Sequence, residues 1–239
     1  MIVKIPVELM KQFKYKPERS LMTLGGFGIR TGEYYLRDPS LLKVFSDRQS
    51  PMNINGRLED WFRGQKGEEY YCHIDLSVTK DRCGFCMGHN KNRKKVIDLA
   101  FAIDPQSYGG EIDINEMVNL VVDLKFHRGF NIRIVSFDSF QSRFVMQTLR
   151  KYGIRADYLS VDRDTKAYDC WKDFLYRDEL DIYNIPLYQK EAKALVRKAG
   201  NKVDHQKNGS KDLCDAISGV CFHLACYDRE TSSLRGVLV

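Results

Sequence analysis

The sequence predicts an α/β domain: a mixed five-stranded sheet flanked by helices, with an N-terminal arm. Three observations predict it. Apolar residues alternate with period two from Glu68 to Asp104, then switch to a helical period. The order that results is a meander of three strands followed by helix, strand, helix and strand, the pattern of a sheet covered by helices. The stretch Asn131 to Phe137 (NIRIVSF) is almost continuously apolar, as in a strand buried on both faces. With 239 residues, 43% hydrophobic and 29% charged, the chain is long enough for one sizeable core and has no disordered composition.

The elements follow in order. Residues 1–67 contain four of the six prolines (Pro6, Pro17, Pro39, Pro51) and seven of the 17 glycines. Proline restricts its own φ and that of its predecessor, so this part should be short helices and extended pieces. It is read as an arm or connector packing on a domain that occupies 68–239. Tyr70, Cys72, Ile74, Leu76 and Val78 alternate with Tyr71, His73, Asp75 and Ser77 as a first strand. Lys80-Asp81-Arg82 turns the chain, and Cys83 to His89 returns as the second. Asn90 to Lys95 (NKNRKK) is a basic loop before a third strand, Val96 to Asp104. Ile114, Met117, Val118, Val121, Val122 and Leu124 share a helical face ending near Arg128-Gly129. After the buried strand, Gln141 to Tyr152 is a helix closed by Gly153, and Ile154 to Val161 is another strand. Asp164 to Arg177 and Leu187 to Lys198 read as helices. Ser210 to Tyr227 is an apolar helix with Ser210 as N-cap.

The charge is +6 and the pI about 8.8, which permits a phosphate-backbone partner. No stretch is apolar enough to span a membrane, and the first residues lack the apolar segment of a secretory signal. Seven cysteines, an odd number, read as reduced thiols of an intracellular protein.

Acid stands where a plain fold has little use for it. Asp75 lies within a strand, although Asp is depleted there. Asp138 directly follows the buried strand, where its carboxyl end opens into the crevice that α/β sheets use for ligands. Asp212 and Asp215, three apart, share one face of the last helix, whose other residues (Leu213, Ile217, Val220, Leu224) are apolar. If the first and fourth strands are neighbours, Asp75 and Asp138 are near enough to share an ion, with the acidic helix face across them. Such a cluster repels itself, and divalent cations with oxygen ligands relieve the repulsion. A pair of such ions activates water and stabilises the leaving oxygen in phosphodiester cleavage.

The segments YYCHIDLSVTKDRCGFCMGH, NIRIVSFDSFQS, YLSVDRDTKAYD and VDHQKNGSKDLCDA, in this order and spacing, resemble the nuclease domain of the large terminase subunit of tailed bacteriophages. The likeness covers Glu68 to Tyr227, and KIPVELMKQFKYKPERSL is similar to the connector that follows the ATPase domain in that family. The resemblance implies a ribonuclease-H-like fold and an endonuclease that cuts concatemeric viral DNA during packaging with two Mg2+ or Mn2+ ions. It implies metal-binding roles for Asp75, Asp138 and Asp215, with Asp212 and Asp81 at further acidic positions. It also implies double-stranded DNA, a terminase ATPase domain, the small terminase subunit and the portal as partners, in the cytoplasm of the infected host cell. The sequence has no G-x-x-x-x-G-K-[ST] phosphate loop, so this chain is expected to be an excised domain or a separately encoded nuclease half. Two rival readings are a Holliday-junction resolvase or other nuclease of the same fold, and a DNA-binding module without catalysis.

Other features are read more plainly. Cys83-Gly84-Phe85-Cys86 has no second cysteine pair, and in a strand its two thiols face opposite sides, so it is read as core rather than as a zinc or redox site. His73 and His205 are read as scaffold histidines, and the glycines of Gly25 to Gly28 as a turn. Lys91, Arg93, Lys94 and Lys95, with Arg143, Arg150 and Lys151, are expected to line an electropositive path for the duplex.

Overall fold

A computed structural model describes residues 4–25, 33–43, 45–76, 82–108, 112–138, 142–199, 202–206 and 209–236. Asp81 and residues 26–28 of the glycine-rich turn lie outside the described residues. In the arm, Pro17 opens α2 (Pro17–Gly25) directly after α1 (Met10–Tyr15), so the chain changes direction at Lys16. The carboxylate of Glu18 accepts from Lys172 Nζ and Tyr176 Oη, each at 2.7 Å. Tyr35, Leu36 and Leu42 enter the core on one side of the sheet, and Phe62 on the other.

The meander forms as expected: β1 (Tyr70–Asp75), β2 (Cys83–Lys91) and β3 (Lys94–Ile103) pair antiparallel. The helix α3 (Ile114–Val122) is capped by Asp113, whose side chain accepts from Asn115 N at 2.8 Å. Next, β4 (Ile132–Phe137) returns parallel to β1, with Ile74 opposite Phe137. The helix α4 (Arg143–Lys151) leads to β5 (Ala156–Tyr158), parallel to β4 and shorter than expected. After α5 (Lys166–Tyr176), the chain adds β6 (Leu180–Asp181) beside β3. Among the described residues the sheet therefore has six strands, in the order β5-β4-β1-β2-β3-β6, rather than five. A two-residue edge strand is too short to leave a periodic signature.

Two segments depart from expectation. The helix α6 (Pro186–Ala194) stops at Ala194, and β7 (Leu195–Lys198) forms a hairpin with β8 (Lys202–His205). Tyr34 of the arm bridges Val196 on the other edge of β7, so pairing on both sides overrides the local helical pattern. Nor is Asn90 to Lys95 a loop. Only Asn92 and Arg93 turn, both with positive φ (49° and 68°), and Lys91 already pairs with Lys94. Positive φ at both central residues suits the twist of a two-residue hairpin.

The last helix, α7 (Asp212–Gly236), crosses one face of the sheet together with α5 and α6, while α3 and α4 cover the other. Alternation on β1 sends Tyr70, Cys72 and Ile74 to the α3–α4 side, where they meet Phe85, Leu99 and Val135. His73 and Asp75 face α7. Two glycines set how closely that helix lies. A Cβ on Gly219 would stand 2.3 Å from the His73 ring, and one on Gly84 would stand 2.1 Å from the Asp212 carbonyl oxygen. All seven cysteines are free thiols, and Cys83 and Cys86 enter separate cores on opposite faces.

Candidate active site

Asp75 is the last residue of β1, opposite Gly84, and Asp138 is the first residue after the neighbouring strand β4. Parallel pairing of β1 with β4 brings the two acids to the same end of the sheet, and Asp138 N lies 3.4 Å from Ile74 O. The bare backbone at Gly84 admits the first turn of α7 over this end, carrying Asp212 and Asp215. A buried glutamate holds that turn: Glu191 Oε2 accepts from Leu213 N and Cys214 N, both at 3.1 Å. Ser210 is not the cap. Its hydroxyl donates instead to Glu191 Oε1 at 2.7 Å. The two backbone donors thus receive a full negative charge from another helix, a stronger partner than a hydroxyl.

The acids feel one another. Burial first, then the charges of Asp215, Asp212 and Asp138, push the Asp75 carboxyl up to about 9. Burial also raises Asp138, against hydrogen bonds from Ser160 and from Val161 N, the latter to Oδ2 at 3.2 Å. Asp215 is buried deepest, and desolvation pushes it above the usual carboxylate range despite Lys211. Its Oδ1 accepts from Tyr168 Oη and its Oδ2 from Lys211 Nζ, each at 2.5 Å. The same ammonium donates to Asp162 Oδ1 at 2.6 Å.

Sequence reasoning missed Tyr168, Lys211 and Asp162. The i, i+4 spacing of Lys211 and Asp215 was the one legible signal, since such pairs meet on a helix.

Among the described residues, no three His, Cys, Asp or Glu side chains already form a metal cage. The donor set nevertheless fits a hard divalent ion. It consists of carboxylate oxygens whose mutual repulsion and burial disfavour their charged forms, which an ion of charge +2 offsets.

The histidines stand apart from this chemistry. His73 is fully buried under Gly219, its Nδ1 2.7 Å from Ser136 Oγ, and burial pushes it down to about 3. It is a neutral scaffold residue. His205 sits on β8 and donates from Nδ1 to Gln206 O at 2.7 Å.

The basic path expected along Lys91, Arg93, Lys94 and Lys95 is displaced from the acids. Gly84 marks the acidic end of β2, and Lys91 lies seven residues further along, a separation of about 23 Å. Lys95 is only 3% exposed and rests over the Phe174 ring at 5.3 Å, so it presents no surface for phosphate. Lys94 donates to Asp178, and Lys91 to Gln65. Of the expected path, Arg150 donates to Ala156 O, while exposed Arg143 begins α4, just beyond Asp138. Two unexpected arginines also border the acidic end. Arg82 Nη1 lies 3.4 Å from Ser210 Oγ, and exposed Arg163 follows Asp162.

No protein-family model matches the chain, and no curated protein matches it. Solved structures do. The HK97 bacteriophage large terminase superposes with a TM-score of 0.60 at 13% identity, covering 92% of this chain and 51% of that one. The large terminase nuclease of the thermophilic phage G20c matches with a TM-score of 0.51 at 12% identity, over 66% of this chain and 83% of that one. Its magnesium-bound form matches with a TM-score of 0.52. The chain spans about half the length of the HK97 protein. With β1 and β4 parallel at its centre, the acids at their carboxyl ends and α7 across them, the chain has the ribonuclease-H-like fold of the large terminase nucleases.

Proposed function

We propose that this chain is a divalent-metal-dependent DNA endonuclease that cuts concatemeric viral DNA during genome packaging. The observation that carries the reading is the gathering of Asp75, Asp138, Asp212 and Asp215 at one end of the sheet, close enough to raise the Asp75 carboxyl. Asp75 and Asp138, on adjacent strands, would hold the ion, with the first turn of α7 completing the acidic wall. A bound Mg2+ or Mn2+ supplies Lewis acidity, lowering the pKa of water and offsetting charge on the phosphate.

The chain's own residues supply the rest. Rigid strands hold Asp75 and Asp138, and Tyr168 and Lys211 fix the orientation of Asp215. Arg82, Arg143 and Arg163, on segments that adjoin the acids in the chain, would meet substrate phosphates, positioning the backbone without reading sequence. The fold shared with the G20c nuclease, which has been solved with bound magnesium and with bound cobalt, supports the metal requirement. In this reading the chain, which spans about half the length of the HK97 large terminase, works with a terminase ATPase domain, the small terminase subunit and the portal. Double-stranded DNA is the substrate in this reading, and the host-cell cytoplasm its place of action.

Plasmid cleavage tests it. Nicking and linearisation in Mg2+ or Mn2+, abolished by chelator and by Asp75→Asn, are expected. Salt-dependent DNA binding without cleavage in either metal would overturn the proposal, as would cleavage confined to four-way junctions.

A further inference from the structure

We infer that Lys211 is a built-in cation of the acidic site, and that the chain therefore holds one divalent ion, on the Asp75–Asp138 side, rather than two. The inference rests on the nuclease reading above and deepens it. Lys211 immediately precedes α7, and its side chain is only 11% exposed. Its ammonium is shared between Asp215 Oδ2 at 2.5 Å and Asp162 Oδ1 at 2.6 Å. The other oxygen of Asp215 accepts from Tyr168 Oη at 2.5 Å, and Asp215 is itself 3% exposed. Both oxygens of this acid are thus already held by donors in a buried setting. Asp75 and Asp138, at the ends of the adjacent strands β1 and β4, are held more lightly: Asp138 Oδ2 accepts from the backbone N of Val161 at 3.2 Å.

Geometry makes the ammonium and a second ion competitors. Magnesium sits about 2.1 Å from a carboxylate oxygen. An ion bound to Asp215 Oδ2 would then stand about 4 Å from Nζ, with two positive centres on one oxygen. Charge leads to the same result. Lys211 already offsets one of the negative charges that a second ion would otherwise answer. It has the compact point charge suited to that place. Asp162, whose side chain is 55% exposed, anchors the ammonium from the solvent side.

The test counts ions on the full chain. Mn2+ binding is followed by electron paramagnetic resonance of the free ion and by calorimetry, for the wild type, Lys211→Met, Lys211→Arg and Asp75→Asn. One tight Mn2+ on the wild type and on Lys211→Arg, two on Lys211→Met, and none on Asp75→Asn are the expected results. Two tight ions on the wild type would overturn the role of Lys211 while leaving the nuclease reading intact. One ion on both the wild type and Lys211→Met would do the same. No tight Mn2+ on the wild type would instead defeat the metal-dependent reading beneath it. Should Lys211→Met fail to fold, the wild-type count together with Lys211→Gln decides the question.

Discussion

Replacing Asp75 by Asn should stabilise the fold in chelator while abolishing cleavage. The side chain keeps its volume and loses its charge. Its carboxyl stands at about 9 in the folded chain, against an ordinary value of 3.8, because of burial and then the charges of Asp215, Asp212 and Asp138. A folded value above the unfolded one means that the native state holds the proton more tightly. Stability from this group is therefore complete below about pH 4 and declines as pH rises toward about 9. Each pKa unit corresponds to about 1.4 kcal/mol, so the span up to pH 7 sets a ceiling of about 4 kcal/mol. Asp75 retains contact with water, which screens its neighbours, and the expected gain for the variant at pH 7 is about 1–3 kcal/mol. For a chain of this size that is a rise of about 2–10 °C in Tm. Thermal unfolding in EDTA at pH 7.5 and at pH 4 measures it: the variant should melt higher at the first pH and level with the wild type at the second. Added Mn2+ should raise only the wild type. A variant equally or less stable than the wild type at both pH values would show that burial and the neighbouring carboxylates do not destabilise a charged Asp75.

Further predictions concern packing and charge. Gly84→Ala would drive a methyl against the Asp212 carbonyl, so a loss of about 1–3 kcal/mol and at least tenfold weaker Mn2+ binding are expected in melting and titration. Glu18→Ala leaves the Lys172 ammonium buried without its partner, at a cost of about 3–5 kcal/mol in denaturant unfolding, whereas Glu18→Leu with Lys172→Met should recover most of it. Arg143→Glu and Arg163→Glu should each weaken duplex binding and lower the log–log salt slope by about 1, while Arg93→Glu, at the far end of the sheet, leaves cleavage unchanged.

Much of this architecture was legible in the sequence because its signals are local. Alternation located β1 to β3, and the apolar run of β4, followed at once by Asp138, marked the crevice end of the sheet. The pairing of β1 with β4 was conditional in the sequence, and the structure supplies it. What remained hidden depends on distant partners. Leu195 and Val196 continue the apolar pattern of α6, yet Tyr34 and the β8 strand draw them into extended pairing. Ser210 has the chemistry of an N-cap, but Glu191 outcompetes it from another helix. The lysines near the β2–β3 turn looked alike in sequence, whereas Lys95 alone is buried against Phe174. Tyr168 reads as an ordinary core aromatic until its hydroxyl is found on Asp215.

The proposed nuclease requires that Asp75 and Asp138 together capture a divalent ion. Anomalous scattering from crystals of the full chain soaked in Mn2+ tests it most directly. A peak about 2.0–2.3 Å from a carboxylate oxygen of each of these two residues is expected. A well-ordered site at saturating Mn2+ with no peak between them would contradict it.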